Sequence, residues 1–568
     1  MDATAGVFKR TRQDAAGDYS TLEENMIAEL YREWPNDAGF EGLTEHQGPI
    51  NLTVKGVIPP WAAGTLFRTG PGVSSVPDTP RGEHLVSHWF DGFAHSHKFD
   101  LVFDSGDAKS CSVVYSSCRQ SQEFIDHVKA KGWRTGICFG QRADPCVGIF
   151  SKMSIVFRPL ASTSNNNNVM PMVGAAGFPA GDKKDKNLLV LTDSATVQTL
   201  NPDTLQPIGF VRQAALHSSL KGQLSCAHAQ RDPETGDWFN FNLEFARIPT
   251  YRVFKVDGRT GKTEILATIA DKEVDPAYIH SLFLTENYVV LCIPSAKYAW
   301  AGMSILWRFS LLEAIKPFDT KAPCRWIVID RRHGKGVVDR FNTPAGFFFH
   351  STNSFEETVE VDGQKRVRLN LEHAAFKNLD VMQIFYYDNL LNRNGAASKL
   401  LTETETYQNS VPHLMRYTHT LPASGSPASS WGAAKEATLA FKVTTPHAGD
   451  LPVINPAYAT KKHRYVWGVS TRGLSLFFDS IVKTDTETGD ALIWSGGKGH
   501  TPSEMVFVAR PGATDEDDGV VLSIVLDGNK GHSYVLCLDA KTLEELGRAE
   551  ANFAIAFGLH GVHVPSKV

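Results

Sequence analysis

The chain has 568 residues, of which 42% are hydrophobic and 21% charged, and its formal net charge is −5. That length exceeds one ordinary domain but suits a large barrel or propeller. The slight acidity argues against a nucleic-acid footprint, and no nucleic-acid partner is expected. The first residues, "MDATAGVFKRTRQDAAGDYS", lack the apolar region of a signal peptide, and no window of about 18 residues is continuously apolar. A cytoplasmic protein without a spanning helix is therefore expected. Its eight cysteines are scattered with no CxxC pair, and several, such as Cys292 in "VVLCIP" and Cys537 in "YVLCLD", sit inside apolar runs. Reduced, buried thiols follow from that pattern.

In chain order, residues 20–34, "STLEENMIAELYREW", predict a helix with a Ser or Thr cap, inside an N-terminal arm over 1–45. Residues 142–157, "RADPCVGIFSKMSIVF", read as an apolar helix with Asp144 as cap and Pro145 in its first turn. It is either a core helix or a lipid-facing lip. The stretches 161–168, "ASTSNNNN", and 423–437 read as low-complexity loops. The remainder is strand-like: "NLLVLTD", "WFNFNLEF", "YRVFKVD", "ENYVVLCIP", "CRWIVID", "GVVLSIVLD" and "SYVLCLD" are short β-branched and aromatic runs between turn residues. A weak repeat joins them. "NPDT" (201–204), "DPET" (232–235), "DGRT" (257–260), "DTET" (485–488) and "DAKT" (539–542) each link two runs. An Asp or Asn opens such a hairpin turn by accepting hydrogen bonds from the backbone just ahead. Hairpins spread over most of the chain suit a propeller of four-stranded blades, with a sandwich or barrel as the alternative.

Four of the twenty histidines end apolar or small-residue runs: His228 in "LSCAHAQ", His280 in "YIHSLF", His350 in "FFFHSTNSFEE" and His560 in "AIAFGLHGVHV". They lie 52, 70 and 210 residues apart, too far for a zinc finger. Such spacing suits inner strands of several blades meeting on one axis, and four imidazoles without a thiolate suit Fe(II). Spacing alone leaves open that these are separate core histidines.

Longer motifs speak to that choice. "GTLFRTGPG" (64–72), "HWFDGFAHSHKF" (88–99), "AHAQRDPETGDWFNF", "HSLFLTENYVV", "FHSTNSFEE" and "LHGVHVP" resemble, in the same order, the motifs of the carotenoid cleavage oxygenases. The resemblance runs from about residue 46 to the C-terminus. It implies an all-β, seven-bladed propeller over 46–568, with a helical and loop cap over the metal-bearing face. It implies a non-haem Fe(II) dioxygenase that cleaves a C=C bond with O₂ to give two carbonyl products. It further implies that His228, His280, His350 and His560 are the iron ligands. Asp193, Asp450 and Glu504 would then accept the outer N–H bonds of His280, His350 and His560. Many relatives carry Glu where this chain has Asp193 and Asp450, and the shorter arm requires a closer backbone or a bridging water.

No general base is required for this chemistry. An aromatic tunnel is expected, with Phe347, Phe348 and Phe349 as candidate cavity residues, although strand alternation keeps all three from facing it. Stilbene-cleaving relatives place a lysine where this chain has Thr192. A carotenoid or apocarotenoid, torulene- or β-carotene-like, is therefore expected over a resveratrol-type stilbene. A non-catalytic carotenoid-binding scaffold is the alternative of another class. A lipophilic polyene must come from a membrane or carrier, and residues 146–157 are the expected peripheral membrane contact, on a membrane or lipid body.

Overall fold

The computed structural model describes residues 3–103, 109–134, 136–142, 166–178, 187–402, 405–423 and 425–566. The expected apolar lip at 146–157 lies outside them. Seven sheets of four or five strands form a ring, the seven-bladed propeller expected. The five turn motifs behave as the sequence predicts. In each, the side-chain oxygen of the first residue (Asn201, Asp232, Asp257, Asp485 or Asp539) accepts from the backbone N–H two and three residues on. Each motif joins two antiparallel strands of one blade.

In chain order, the first blade is built on Gly64–Pro71, Ala94–Val102 and Ser112–Arg119. The second comprises Met170–Val173 to Pro207–Arg212, and the third Gln230–Arg231 to Thr263–Ala270. The fourth begins at Phe283–Leu284, the fifth at Phe347–Val361, the sixth at Asp450–Val453 and the seventh at His500–Ala509. The C-terminal strand His560–Pro565 returns to the first blade, where it pairs antiparallel with Gly64–Pro71 in the register Thr69↔His560. Three N-terminal strands finish the outer edges of other sheets: Ala5–Arg10 on the sixth blade, Ile50–Asn51 on the first and Thr53–Gly56 on the seventh. The ring is thus closed by both chain ends. Its core strands are buried on both faces, which explains largely apolar runs such as Gly519–Asp527, buried at every residue. The tryptophans Trp238, Trp326 and Trp467 are fully buried between blades, and each indole N–H has an oxygen partner within 3.1 Å.

The N-terminal helix differs from expectation. It spans Ala15–Ile27 instead of 20–34. Thr11 and Asp14 close a hydrogen-bonded box ahead of it, so the helix starts earlier than Ser20. Ser20 and Thr21 return their hydroxyls to carbonyls four residues back, as mid-helix residues do. Glu29 adopts a left-handed conformation, ending the helix before the short 3₁₀ turn Leu30–Glu33. Buried Asp18, Leu22 and Met26, at four-residue spacing, face the body of the protein.

The seven cysteines among the described residues are free and buried. No helix among the described residues is long and apolar enough to cross a membrane.

Candidate metal centre and cavity

One residue of each blade points to the same place. His228 lies just before the inner strand of the third blade and His280 just before that of the fourth. His350 is on the inner strand of the fifth, and His560 opens the C-terminal strand of the first. Their candidate ligand atoms all lie within 4.8 Å of one another. The other three blades supply carboxylates. Asp193 comes from the turn after Leu188–Leu191 of the second blade, Asp450 opens the inner strand of the sixth, and Glu504 stands in that of the seventh.

Each carboxylate takes one imidazole from behind. His280 Nδ1 lies 2.9 Å from both oxygens of Asp193. His350 Nδ1 is 2.7 Å from Asp450 Oδ1, and His560 Nδ1 is 2.7 Å from Glu504 Oε1. These bonds put the proton on Nδ1 and leave Nε2 as the inward lone pair. The short aspartates reach their partners directly. Behind Asp193, the Tyr278 hydroxyl donates to Oδ2 at 2.8 Å, and the Ala227 amide donates to Oδ1 at 3.1 Å. His228 has no carboxylate partner among the described residues; its amide donates to the His280 carbonyl.

These residues fit a divalent metal. His350 Nε2 is buried with no partner, and the Nε2 atoms of His228 and His560 stand 3.0 Å apart. Two nitrogens bound at about 2.1 Å and at right angles would sit about 3.0 Å apart. Burial, reinforced by the neighbouring imidazoles, holds His228 and His560 well below the ordinary histidine pKa, so both rings are neutral and able to ligate. Burial also pushes the Glu504 carboxyl up to about 7, against the pull of the Arg68 guanidinium.

Beside the histidines lies a cavity of about 700 Å³, within the range of small-molecule sites. Phe90, Phe139, Phe349, Phe385, Leu451 and Leu559 give it an apolar wall. Thr192 lines it too, its hydroxyl 3.0 Å from that of Ser194. Of the three consecutive phenylalanines, Phe349 stands on the wall, edge-on to His280. Phe347 is a correction: it is stacked on Tyr278 behind that wall, and Phe348 faces a different core cluster beside Phe283 and Trp326. Strand alternation turns Phe348 to the opposite face, whereas Phe347 shares the face of Phe349 and packs edge-on behind it, ring centroids 4.8 Å apart.

Sequence reasoning missed what holds the cavity together. The "HWFDG" stretch carries the roof: Asp91 accepts from the amides of Phe139 and Gly140 at 2.8 and 2.7 Å and pairs with buried Arg134. Of the loop expected at 161–168, residues 166–168 are described, and their side chains are tied down. Asn166 and Asn168 donate to carbonyls around Gly92, and Asn167 donates to Val190 and Thr196, so the run ties the first blade to the second along the cavity edge. Nothing in a run of identical residues signals this, because each amide finds its carbonyls only in the folded ring. Tyr278 was legible in principle, since it sits two residues before His280 and therefore shares its face.

A ring of blades that converges four imidazoles, three of them backed by carboxylates, on an apolar cavity defines a propeller metalloenzyme acting on a greasy substrate. The chain belongs to the carotenoid oxygenase family: the family described as RPE65, retinal pigment epithelial membrane protein, matches residues 39–565. It is 49% identical over 577 residues to a torulene dioxygenase of Gibberella fujikuroi, covering 99% of each chain. It is 47% identical to a carotenoid dioxygenase of Neurospora crassa, with 98% of this chain and 95% of the relative covered. A solved apocarotenoid oxygenase of Synechocystis has a similar fold, with a TM-score of 0.70 at 21% identity, over 94% of this chain and 99% of that one.

Proposed function

We infer that the chain is a carotenoid cleavage dioxygenase, which splits one C=C bond of a carotenoid or apocarotenoid with O₂ and yields two carbonyl products. The observation that carries this is the convergence of four histidine ligand atoms within 4.8 Å beside an apolar cavity of about 700 Å³. Family membership and the named fungal relatives support the same chemistry. His228, His280, His350 and His560 would hold Fe(II), and Asp193, Asp450 and Glu504 would orient three of them. Iron(II), when bound, supplies a place where O₂ meets an electron-rich alkene. The protein's residues do the remainder. Four imidazoles would leave the ion room for further ligands, and the Nδ1 protons of His280, His350 and His560 stay on nitrogen, donated to Asp193, Asp450 and Glu504. Phe90, Phe139, Phe349 and Phe385 exclude water and lay the polyene along the cavity.

Torulene is our first choice of substrate, with β-carotene next; the stilbene alternative is not favoured, and Thr192 offers no ammonium for a phenolate. Incubation of the iron-loaded protein with torulene, β-carotene and resveratrol, followed by product masses, tests this. A pair of aldehydes from a carotenoid is expected, and cleavage of resveratrol alone would overturn it. Residues 146–157 are our candidate for a peripheral contact that delivers the polyene. Ile149→Glu with Phe150→Glu should then abolish co-sedimentation with liposomes and leave iron content intact.

A further inference from the structure

Arg68 lies beneath the centre, in the "LFRTGPG" stretch that the chemistry above leaves without a role. It is 2% exposed and stands on Gly64–Pro71, the strand that receives the C-terminal strand. Its Nη1 donates to the Glu504 main-chain oxygen at 2.8 Å and lies 3.6 Å from Glu504 Oε2. Its Nη2 reaches the Gly558 carbonyl at 3.4 Å, two residues before His560. One guanidinium thus touches both segments that meet in the His560–Glu504 bond. The fork of donors in fixed geometry suits that double grip, which a lysine would make with one point charge.

The glycines flanking His560 belong to the same device. A Cβ on Gly558 would stand 3.1 Å from Arg68 Nε, and one on Gly561 would stand 2.9 Å from the Phe67 carbonyl oxygen, 3.0 Å from Arg68 Cγ and 3.1 Å from Nη1. Neither glycine is in the left-handed region, so close packing and not backbone freedom accounts for both, against the guanidinium at Gly558 and against the guanidinium and the neighbouring strand at Gly561. The Gly561 amide in turn donates to Glu504 Oε2 at 2.7 Å. Charge acts in the opposite sense: removing a guanidinium beside the site would by itself favour a divalent ion, so a loss of affinity reports the lost clasp.

We propose that Arg68 is a positioning residue of the metal centre, which clasps Glu504 and the His560 segment together. This rests on the reading of the four histidines as a metal site. Co(II) titration of the apoprotein, followed by its absorption spectrum, tests it alongside thermal unfolding of the same samples. Arg68→Gln should weaken Co(II) affinity by roughly tenfold or more, the usual scale for an outer partner. Arg68→Lys should recover part of that loss. Gly558→Ala, which crowds the guanidinium, should shift affinity in the same direction, whereas Gly209→Ala, with nothing within 4 Å of its new Cβ, should not. The double variant Arg68→Gln with Glu504→Gln should bind no more weakly than the weaker single variant, because both break one clasp. Wild-type affinity in Arg68→Gln, or single losses that multiply in the double variant, would overturn the assignment. If Arg68→Gln does not fold, wild-type affinity in both Arg68→Lys and Gly558→Ala would overturn it instead. A wild-type chain with no affinity for Co(II) would sink the metal reading itself, and this assignment with it.

Discussion

Four blades bring an imidazole to the centre and three bring a carboxylate, and the two groups of blades are built differently. The imidazoles lie at or next to the inner strands, where the backbone of the ring fixes them. Asp450 and Glu504 also stand on inner strands, but two of the carboxylates have further partners: the Tyr278 hydroxyl and the Ala227 amide on Asp193, the Gly561 amide and, at 3.6 Å, the Arg68 guanidinium on Glu504. The ring therefore positions the ligands, and the ring together with these added contacts positions what orients them. Three acids for four imidazoles leave His228 alone, held through its backbone to His280.

The sharpest way to break this comparison is to remove a ligand. His350→Ala should abolish iron binding and turnover together, as should alanine at His228, His280 or His560. Metal analysis with turnover checks this, and any variant that retained full iron and full rate would leave the ligand set. Removing an acid should do less. Glu504→Gln or Asp450→Asn should lower metal affinity by roughly 10–100-fold and leave the fold intact. An acid variant as damaging as a ligand variant would erase the distinction between the two groups of blades.

Protonation should reach the imidazole-rich interior as a whole. Burial lowers His88 and His373 to about 4 and His95 to about 3, so they stay neutral in the folded protein. The unfolded chain takes up those protons below about 6.5 and the folded chain does not, so unfolding binds protons and stability falls as pH drops from about 6.5 towards 4. The raised Glu504 carboxyl works the other way as pH rises from about 4.5 to 7, but it is one group against several. Apoprotein melting temperature should hold near neutrality and decline through this acid window. A flat profile down to pH 5 would show these histidines to be accessible to protons.

The smallest expected effect is on the outermost partner. Tyr278→Phe removes one hydrogen bond to Asp193, worth about 1 kcal/mol, so metal affinity should fall by roughly fivefold. A loss equal to that of Asp193→Asn would place Tyr278 on a par with the acids.

The same division decides what the sequence reveals. Hairpin turns such as "DPET" and "DAKT" are local, because Asp232 or Asp539 bonds to amides two and three residues on, so the blades were readable. The four histidines stood out because each ends an apolar or small-residue run, but their reading as ligands came through resemblance. The acids came through resemblance alone, for Asp193 and Asp450 carry no local sign of the imidazole they meet 87 and 100 residues away. Asn166 to Asn168 and Arg68 were not legible at all, since their partners lie on other blades. The N-terminal helix was misplaced because "STLEEN" imitates a cap that Thr11 and Asp14 supply upstream.

Iron K-edge absorption of the iron-loaded protein tests the central claim most directly. Four imidazole nitrogens at about 2.0–2.2 Å, with no sulfur and no protein carboxylate in the first coordination sphere, are the predicted result. A sphere containing a carboxylate from Asp193, Asp450 or Glu504, or fewer than four imidazoles, would contradict it.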